Sequence, residues 1–143
     1  TVRSSFLAAG TVVEGYVEGS VLFPGVAVRK GAVICNSIVM NNNRIGAKAQ
    51  LYKTLVLPSA ENGKGLPNIG EESFIGLRQS TAANAQYPGH VREGITVLGA
   101  NPEIPKGYAI GPGCLVGAQV PAQKLKAQKE MRKGSTYLCD TGR

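Results

Sequence analysis

The chain has 143 residues and a formal net charge of +7, with 43% hydrophobic residues, 6% aromatics, 19 glycines and no Trp. That length suits one domain with a real core and is short for two. No run approaches the ~18 to 20 apolar residues of a membrane span, no charged start leads into an apolar signal core, and Cys35, Cys114 and Cys139 are too scattered for a metal or redox motif. A reduced cytoplasmic protein with no membrane partner is the expectation.

In chain order, the first signal is a period of six. Every sixth residue from Val21 gives Val21, Ala27, Val33, Val39, Ile45, Leu51 and Leu57, an unbroken aliphatic run. Six is neither the helix nor the strand period, and hexads are a signature of β-helices. One hexad supplies one short strand and one turn. Three hexads make an 18-residue coil of a triangular prism, with three aliphatics pointing inward. The frame predicts that Val21, Val39, Leu57 and Ile75 stack on one side and Val33, Leu51 and Ile69 on another, with Ala27 and Ile45 beginning the third. Successive coils then lie ~4.8 Å apart as parallel strands. So narrow an interior accounts for the scarcity of aromatics, and Asn41, Asn42 and Asn43 suit corners that need positive φ.

The stretch from Pro58 to Asn68, with "SAENGKG" inside it, breaks the period and reads as a loop. The frame resumes in phase at Ile69 and Ile75. "STAANAQYPGH", residues 80–90, reads as a second loop, after which the frame returns at Val91 and Val97 and, one residue late, at Ile104, Ile110 and Val116. "PAQKLKAQKEMRKG", residues 121–134, sets Leu125 and Met131 among good helix formers between Pro121 and Gly134, which predicts a short C-terminal α-helix. Lys124, Lys126, Lys129, Arg132, Lys133 and Arg143 against Glu130 and Asp140 hold about half of the excess charge there. The expected fold is therefore all-β: a parallel β-helix of hexapeptide repeats over 1–120, left-handed as most hexapeptide coils are, with loops at 58–68 and 80–90. A basic helix and tail follow over 121–143. Bare ends of a coil are poorly stabilised; the helix is expected to cover one end, and a further domain or subunit the other.

Residues 11–57 carry a family likeness. Ser20-Val21-Leu22-Phe23, Gly25-Val26, Lys30-Gly31-Ala32, Asn36-Ser37 followed by Val39-Met40, and Ile45-Gly46 together resemble the C-terminal left-handed β-helix domain of ADP-glucose pyrophosphorylase (glucose-1-phosphate adenylyltransferase). The match covers about a third of the chain and thins past Pro58. The resemblance implies an intact enzyme of glycogen biosynthesis, a nucleotidyltransferase that joins a sugar 1-phosphate to a nucleotide, with Mg2+, in an N-terminal α/β catalytic domain. The glycine-rich phosphate motif and metal-binding aspartates of that domain are absent from these 143 residues. The resemblance thus implies a non-catalytic segment, with no cofactor of its own, that contacts the catalytic domain, assembles a homo- or hetero-oligomer and binds an anionic allosteric effector.

Two constellations carry candidate chemistry. In an 18-residue coil Lys30 and Lys48 stand one above the other, and ammonium groups rooted about 5 Å apart repel unless they splay or share an anion. Arg29, Arg44 and Lys53 are near in sequence, so a phosphorylated metabolite is a candidate ligand; the plainer reading has the lysines diverging into water. His90, the single histidine, lies in "YPGHVREG". A hexapeptide acyltransferase needs one histidine as general base, so a stand-alone acyltransferase using His90 is the alternative function, although no partner carboxylate is identifiable. A zinc site built on three histidines is out of reach, and no metal is expected. The basic helix lacks stacking aromatics apart from Tyr137, which argues against nucleic acid. Cys35 and Cys114 fall inside the repeat and read as small interior hydrophobes.

Overall fold

A hexad leaves room for only two or three extended residues before the chain must turn, and the strands have that length. In the computed structural model, which describes residues 1–60 and 66–138, the first nine are β1 (Val2–Arg3), β2 (Phe6–Leu7), β3 (Val12–Val13), β4 (Tyr16–Glu18), β5 (Val21–Leu22), β6 (Ala27–Val28), β7 (Val33–Cys35), β8 (Ile38–Val39) and β9 (Arg44–Ile45). They are followed by β10 (Gln50–Tyr52), β11 (Thr54–Val56), β12 (Phe74–Ile75), β13 (Thr96–Leu98), β14 (Ala109–Ile110), β15 (Leu115–Val116), α1 (Ala122–Lys126) and β16 (Thr136–Tyr137).

Up to β11 each strand pairs in parallel with the one three places before it, and the later strands continue the same rows, so the chain winds around three sheets as a parallel β-helix. The first sheet runs β1-β4-β7-β10-β12-β14, the second β2-β5-β8-β11-β13-β15-β16, and the third β3-β6-β9. Bridges from Ile45 to Ile69 and from Ile69 to Ile104 prolong the third sheet. Inside lies one aliphatic core, with Val17, Leu22, Val28, Ile34, Val39, Ile45, Leu51, Val56, Ile69, Ile75 and Leu98 wholly excluded from solvent.

The register corrects the expected stacking. Val17 lies level with Ile34, and Ile34 with Leu51, so a coil there takes 17 residues rather than 18. Val39, Ile45 and Leu51 point inward as expected, but Val21, Ala27 and Val33 are half-buried on the outside, while Leu22, Val28 and Ile34 fill the core. Val21 pairs with Ile38, and Val39 pairs with Leu22 and Val56. Ile75 joins Leu51 on the first sheet, and Ile69 joins Ile45 on the third.

The missing residue is lost at one corner. Between the first and second sheets the chain turns through Ser20, Ser37 and Thr54, all buried. Each hydroxyl donates to the carbonyl two residues back, on Glu18, Cys35 and Tyr52, at 2.9 Å. The Ser20 and Ser37 oxygens then accept from the backbone N–H of Ser37 and Thr54 on the coil above, at 3.1 Å. Residues ahead of the hydroxyls, Gly19, Asn36 and Lys53, have positive φ, which tightens the turn. Every buried polar group in the corner is satisfied, as a dry interior requires, and the side from Ile34 to Val39 closes in five residues.

The insertions sit at corners. Residues 58–68 leave between β11 and Ile69; 61–65 lie outside the described residues. The second excursion is longer than expected, running strand-free from Gly76 to Ile95 rather than over 80–90. Asn84, fully buried, anchors it: its Nδ2 donates to the Gly113 and Ser135 carbonyls, and its Oδ1 accepts from Gln86 N, Tyr87 N and Thr136 Oγ1. The C-terminal helix is present but holds only five residues. It follows β15 and stands where the third sheet would continue, with Leu125 buried beneath it and Ala122 N donating to Glu103 Oε2. Beyond it the chain returns to the coil instead of trailing as a tail: Met131 bridges Ile110, and β16 pairs with β15. Met131 is buried in that return, where its apolar side chain adds to the core.

Candidate functional site

The three outer faces of the prism differ in chemistry. On the second sheet the outward row across six strands is Phe6, Val21, Ile38, Leu55, Val97 and Leu115. Phe23, Met40 and Leu57 extend it along the strands. Phe6 is 70% exposed and Ile38 43%. No charged side chain interrupts this ladder. On the third sheet the corresponding row is Val12, Ala27 and Arg44, and on the first it is Tyr16, Val33, Gln50, Phe74 and Ala109.

The structure brings four of the five predicted cations together and separates the fifth. Arg29, Lys30, Arg44 and Lys48 lie on the third sheet and at its corner with the first. Because the coil takes 17 residues, Lys30 is not above Lys48 but one place behind: Lys48 N donates to Lys30 O at 3.2 Å, and the Lys48 side chain rises over Gly31. The next coil brings Glu72, whose N donates to Ala47 O, and beyond it Lys106, where Gly107 N donates to Glu71 O. The corner therefore alternates basic, acidic and basic coils. Lys48 and Glu72 both adopt positive φ there. Lys53 lies at the other corner, where its Nζ donates to the Ser80 carbonyl at 2.9 Å and to the Glu93 carbonyl. That lysine ties down the long loop.

His90 sits on the exposed part of the same loop, its backbone N donating to Tyr87 O at 3.1 Å. Its side chain makes no hydrogen bond to any described residue, so nothing described here orients it as a base. Cys35 and Cys114 are buried. Burial pushes both thiols above their ordinary range, partly opposed by Arg78 at Cys35 and by backbone hydrogen bonds at Cys114; neither is built as a nucleophile. Cys139 lies outside the described residues. Among the described residues no group of three or more His, Cys, Asp or Glu is placed to hold a metal ion. Among the same residues no helix is long and apolar enough to cross a membrane.

Sequence reasoning missed two features. Asn84 was hidden inside a loop, and its short polar side chain among Ala and Thr gave no signal. The apolar ladder of the second sheet was hidden by the register, because Val21, Leu57 and Val97 were assigned to the core, whereas all three are half-buried on its outer face.

Comparison with known proteins places this geometry. The family model described as GlmU-like, C-terminal hexapeptide, matches residues 1–98. A glucose-1-phosphate adenylyltransferase of Acetivibrio thermocellus is 33% identical over 94% of this chain, which spans 31% of that protein. One from Desulfitobacterium hafniense is 29% identical over 78% of the chain and 25% of its own length, and one from Clostridium perfringens is 46% identical over 31% of the chain. The chain thus spans less than a third of the adenylyltransferases it matches. Among solved structures, the acetyltransferase domain of PglB from Neisseria gonorrhoeae overlaps 95% of this chain and 52% of its own, at 11% identity and a TM-score of 0.38, too weak an overlap to argue from. By its hexads, its three parallel sheets and this match, the chain belongs to the family of GlmU-like C-terminal hexapeptide domains, with the left-handed β-helix of that class.

Proposed function

We propose that this chain is the C-terminal, non-catalytic assembly and regulatory domain of a glucose-1-phosphate adenylyltransferase-like enzyme of glycogen biosynthesis, working in the cytoplasm. The observation that carries the reading is the uncovered outer face of the second sheet. Parallel sheets are normally covered on both faces, and a contiguous exposed apolar patch marks a contact surface. In this reading the cover is the catalytic domain of the same polypeptide, which supplies the Mg2+ and nucleotide chemistry, and further subunits complete an oligomer. Similarity to adenylyltransferases about three times as long supports it. The phosphorylated effector of this proposal binds at the corner of Lys30 and Lys48, flanked by Arg29 and Arg44. Lys53 takes no part because its ammonium is engaged by the loop.

The test uses the whole polypeptide and this chain alone. The whole protein is expected to form ADP-glucose from glucose 1-phosphate and ATP, and this chain alone to form none. Ile38→Lys combined with Leu55→Lys is expected to break up the assembled species in sedimentation while leaving the circular dichroism of the β-helix unchanged. Unchanged assembly in that variant would remove the reading. Acetyl transfer from acetyl-CoA by this chain, lost in His90→Ala, would replace it with the acyltransferase alternative.

A further inference from the structure

The two ends of the coil are finished differently. At the first, Val2 and Leu7 stand level with the core residues Val17 and Leu22 yet are 42% and 37% exposed. At the last, a closing segment from Ala122 to Leu138 folds over the core, and its Leu125 and Met131 are buried together with Val120 and Tyr108. Tyr108 departs from its own column. The corner between the third and first sheets is lined by Ala32, Ala49, Ser73 and Tyr108, whose carbonyls accept in turn from the N–H groups of Tyr16, Val33, Gln50 and Phe74. The first three are small and buried, and the Ser73 hydroxyl donates to Gly70 O at 2.8 Å. A phenol ring cannot occupy the space of a methyl, so Tyr108 extends toward the closing segment. Its hydroxyl ends there buried and with no hydrogen-bond partner among the described residues. Cys114 on its own coil and Glu130 and Tyr137 on the segment lie around it, and none of them bonds to it.

The segment is held down from the long loop and from the coil below. Asn84 donates to Ser135 O at 3.2 Å and accepts from Thr136 Oγ1 at 3.0 Å, and Ala85 N donates to Gly134 O at 2.9 Å. From the coil below, the N–H groups of Gly111, Leu115 and Gly117 donate to the carbonyls of Met131, Ser135 and Tyr137, and Cys114 Sγ reaches Arg132 O. We propose that the closing segment is a latch, with Asn84 as its catch and Tyr108 as the group that favours opening. When the latch is closed, the Tyr108 hydroxyl has lost water and gained no bond, which is unfavourable. When it opens, the hydroxyl is hydrated while Leu125 and Met131 lose their burial, which opposes the change. A terminal coil rests on one neighbour only, so it opens as a unit while the other coils stay wound. Opening uncovers the edge of β15 and the Cys114 thiol, which are therefore reachable only in the open state. The inference draws on neither the outer face of the second sheet nor the Lys30–Lys48 corner, and stands apart from the proposed function.

Amide hydrogen exchange of this chain, followed residue by residue by NMR, tests it. Leu115 and Gly117, whose N–H groups bond to the latch, are expected to exchange about a hundredfold faster than Val33, whose N–H bonds to Ala49 O in the body of the coil. Tyr108→Phe deletes the stranded hydroxyl and is expected to slow Leu115 and Gly117 about tenfold. Thr136→Val removes a donor to the catch and is expected to speed them about fivefold. Circular dichroism reports whether each variant keeps the β-helix. Exchange of Leu115 and Gly117 as slow as that of Val33 overturns the proposal, because the segment then does not open by itself. Unchanged or faster exchange in Tyr108→Phe also overturns it, because the hydroxyl then either stays buried in the opening or is already bonded in the closed state.

Discussion

The coil from Ile34 to Leu51 and the coil from Leu98 to Val116 are built on the same plan and differ by one residue. In the first, Ile34 lies level with Leu51; in the second, Leu98 lies level with Val116, eighteen positions on. The difference is confined to the corner between the first and second sheets. In the shorter coil Ser37 closes the turn, hydrogen-bonded within its own coil and to the next. In the longer one Cys114 occupies the same column behind Gly111-Pro112-Gly113, and its Sγ reaches Arg132 O at 3.0 Å. A hydroxyl can satisfy two coils at once, whereas a thiol is a weak partner. Where the hydroxyl is lost, glycine and proline turn the chain with one more residue. Corner chemistry thus sets the phase of the repeat, and the phase decides which side chains become core and which become surface.

The sharpest way to break that comparison is to exchange the two phases. Leu22→Ala, inward in a 17-residue coil, is expected to cost roughly 2 to 5 kcal/mol, and Val21→Ala, outward, within about 0.5 to 1 kcal/mol. Urea midpoints measure both, and the reverse order would restore an 18-residue register. A smaller effect is expected at the corner itself: Ser37→Ala removes a donor to Cys35 O and the acceptor for Thr54 N, costing about 1 to 3 kcal/mol, while Cys114→Ala at the equivalent rung costs less. Equal costs would mean that the hydroxyl column does not set the turn.

The smallest effect is in pH. Burial raises the Cys114 thiol, so the folded state holds its proton where the unfolded chain releases it. Stability from this group is full below the unfolded thiol's range, about pH 8.5, and is lost as pH rises through the folded value. Denaturation midpoints measured upward from pH 8 should fall, and Cys114→Ala should flatten that decline. A slope unchanged by the substitution would assign the fall to other groups.

Much of the architecture was legible because a hexad is a local signal. Val39, Ile45 and Leu51, then Ile69 and Ile75, then Ile104, Ile110 and Val116 all face inward as their spacing predicts. The five-residue side was not legible, since Asn36-Ser37 reads as an ordinary turn until the Ser20 oxygen on the neighbouring coil accepts its N–H. The same slip carried through to the candidate site. Lys30 and Lys48 reach one corner, but staggered and followed by Glu71 and Glu72, and Lys53 turns a different corner altogether.

Sequence alone therefore determined the class of fold and the narrow aliphatic interior, because period and residue size are properties of a few neighbouring positions. Tertiary structure decided the register, the buried anchoring of Asn84, the bare apolar face of the second sheet and the closing of the last coil over Tyr108. Each of those depends on which residues meet across coils, and a single residue gained or lost at a corner turns every later side chain from one face of its strand to the other.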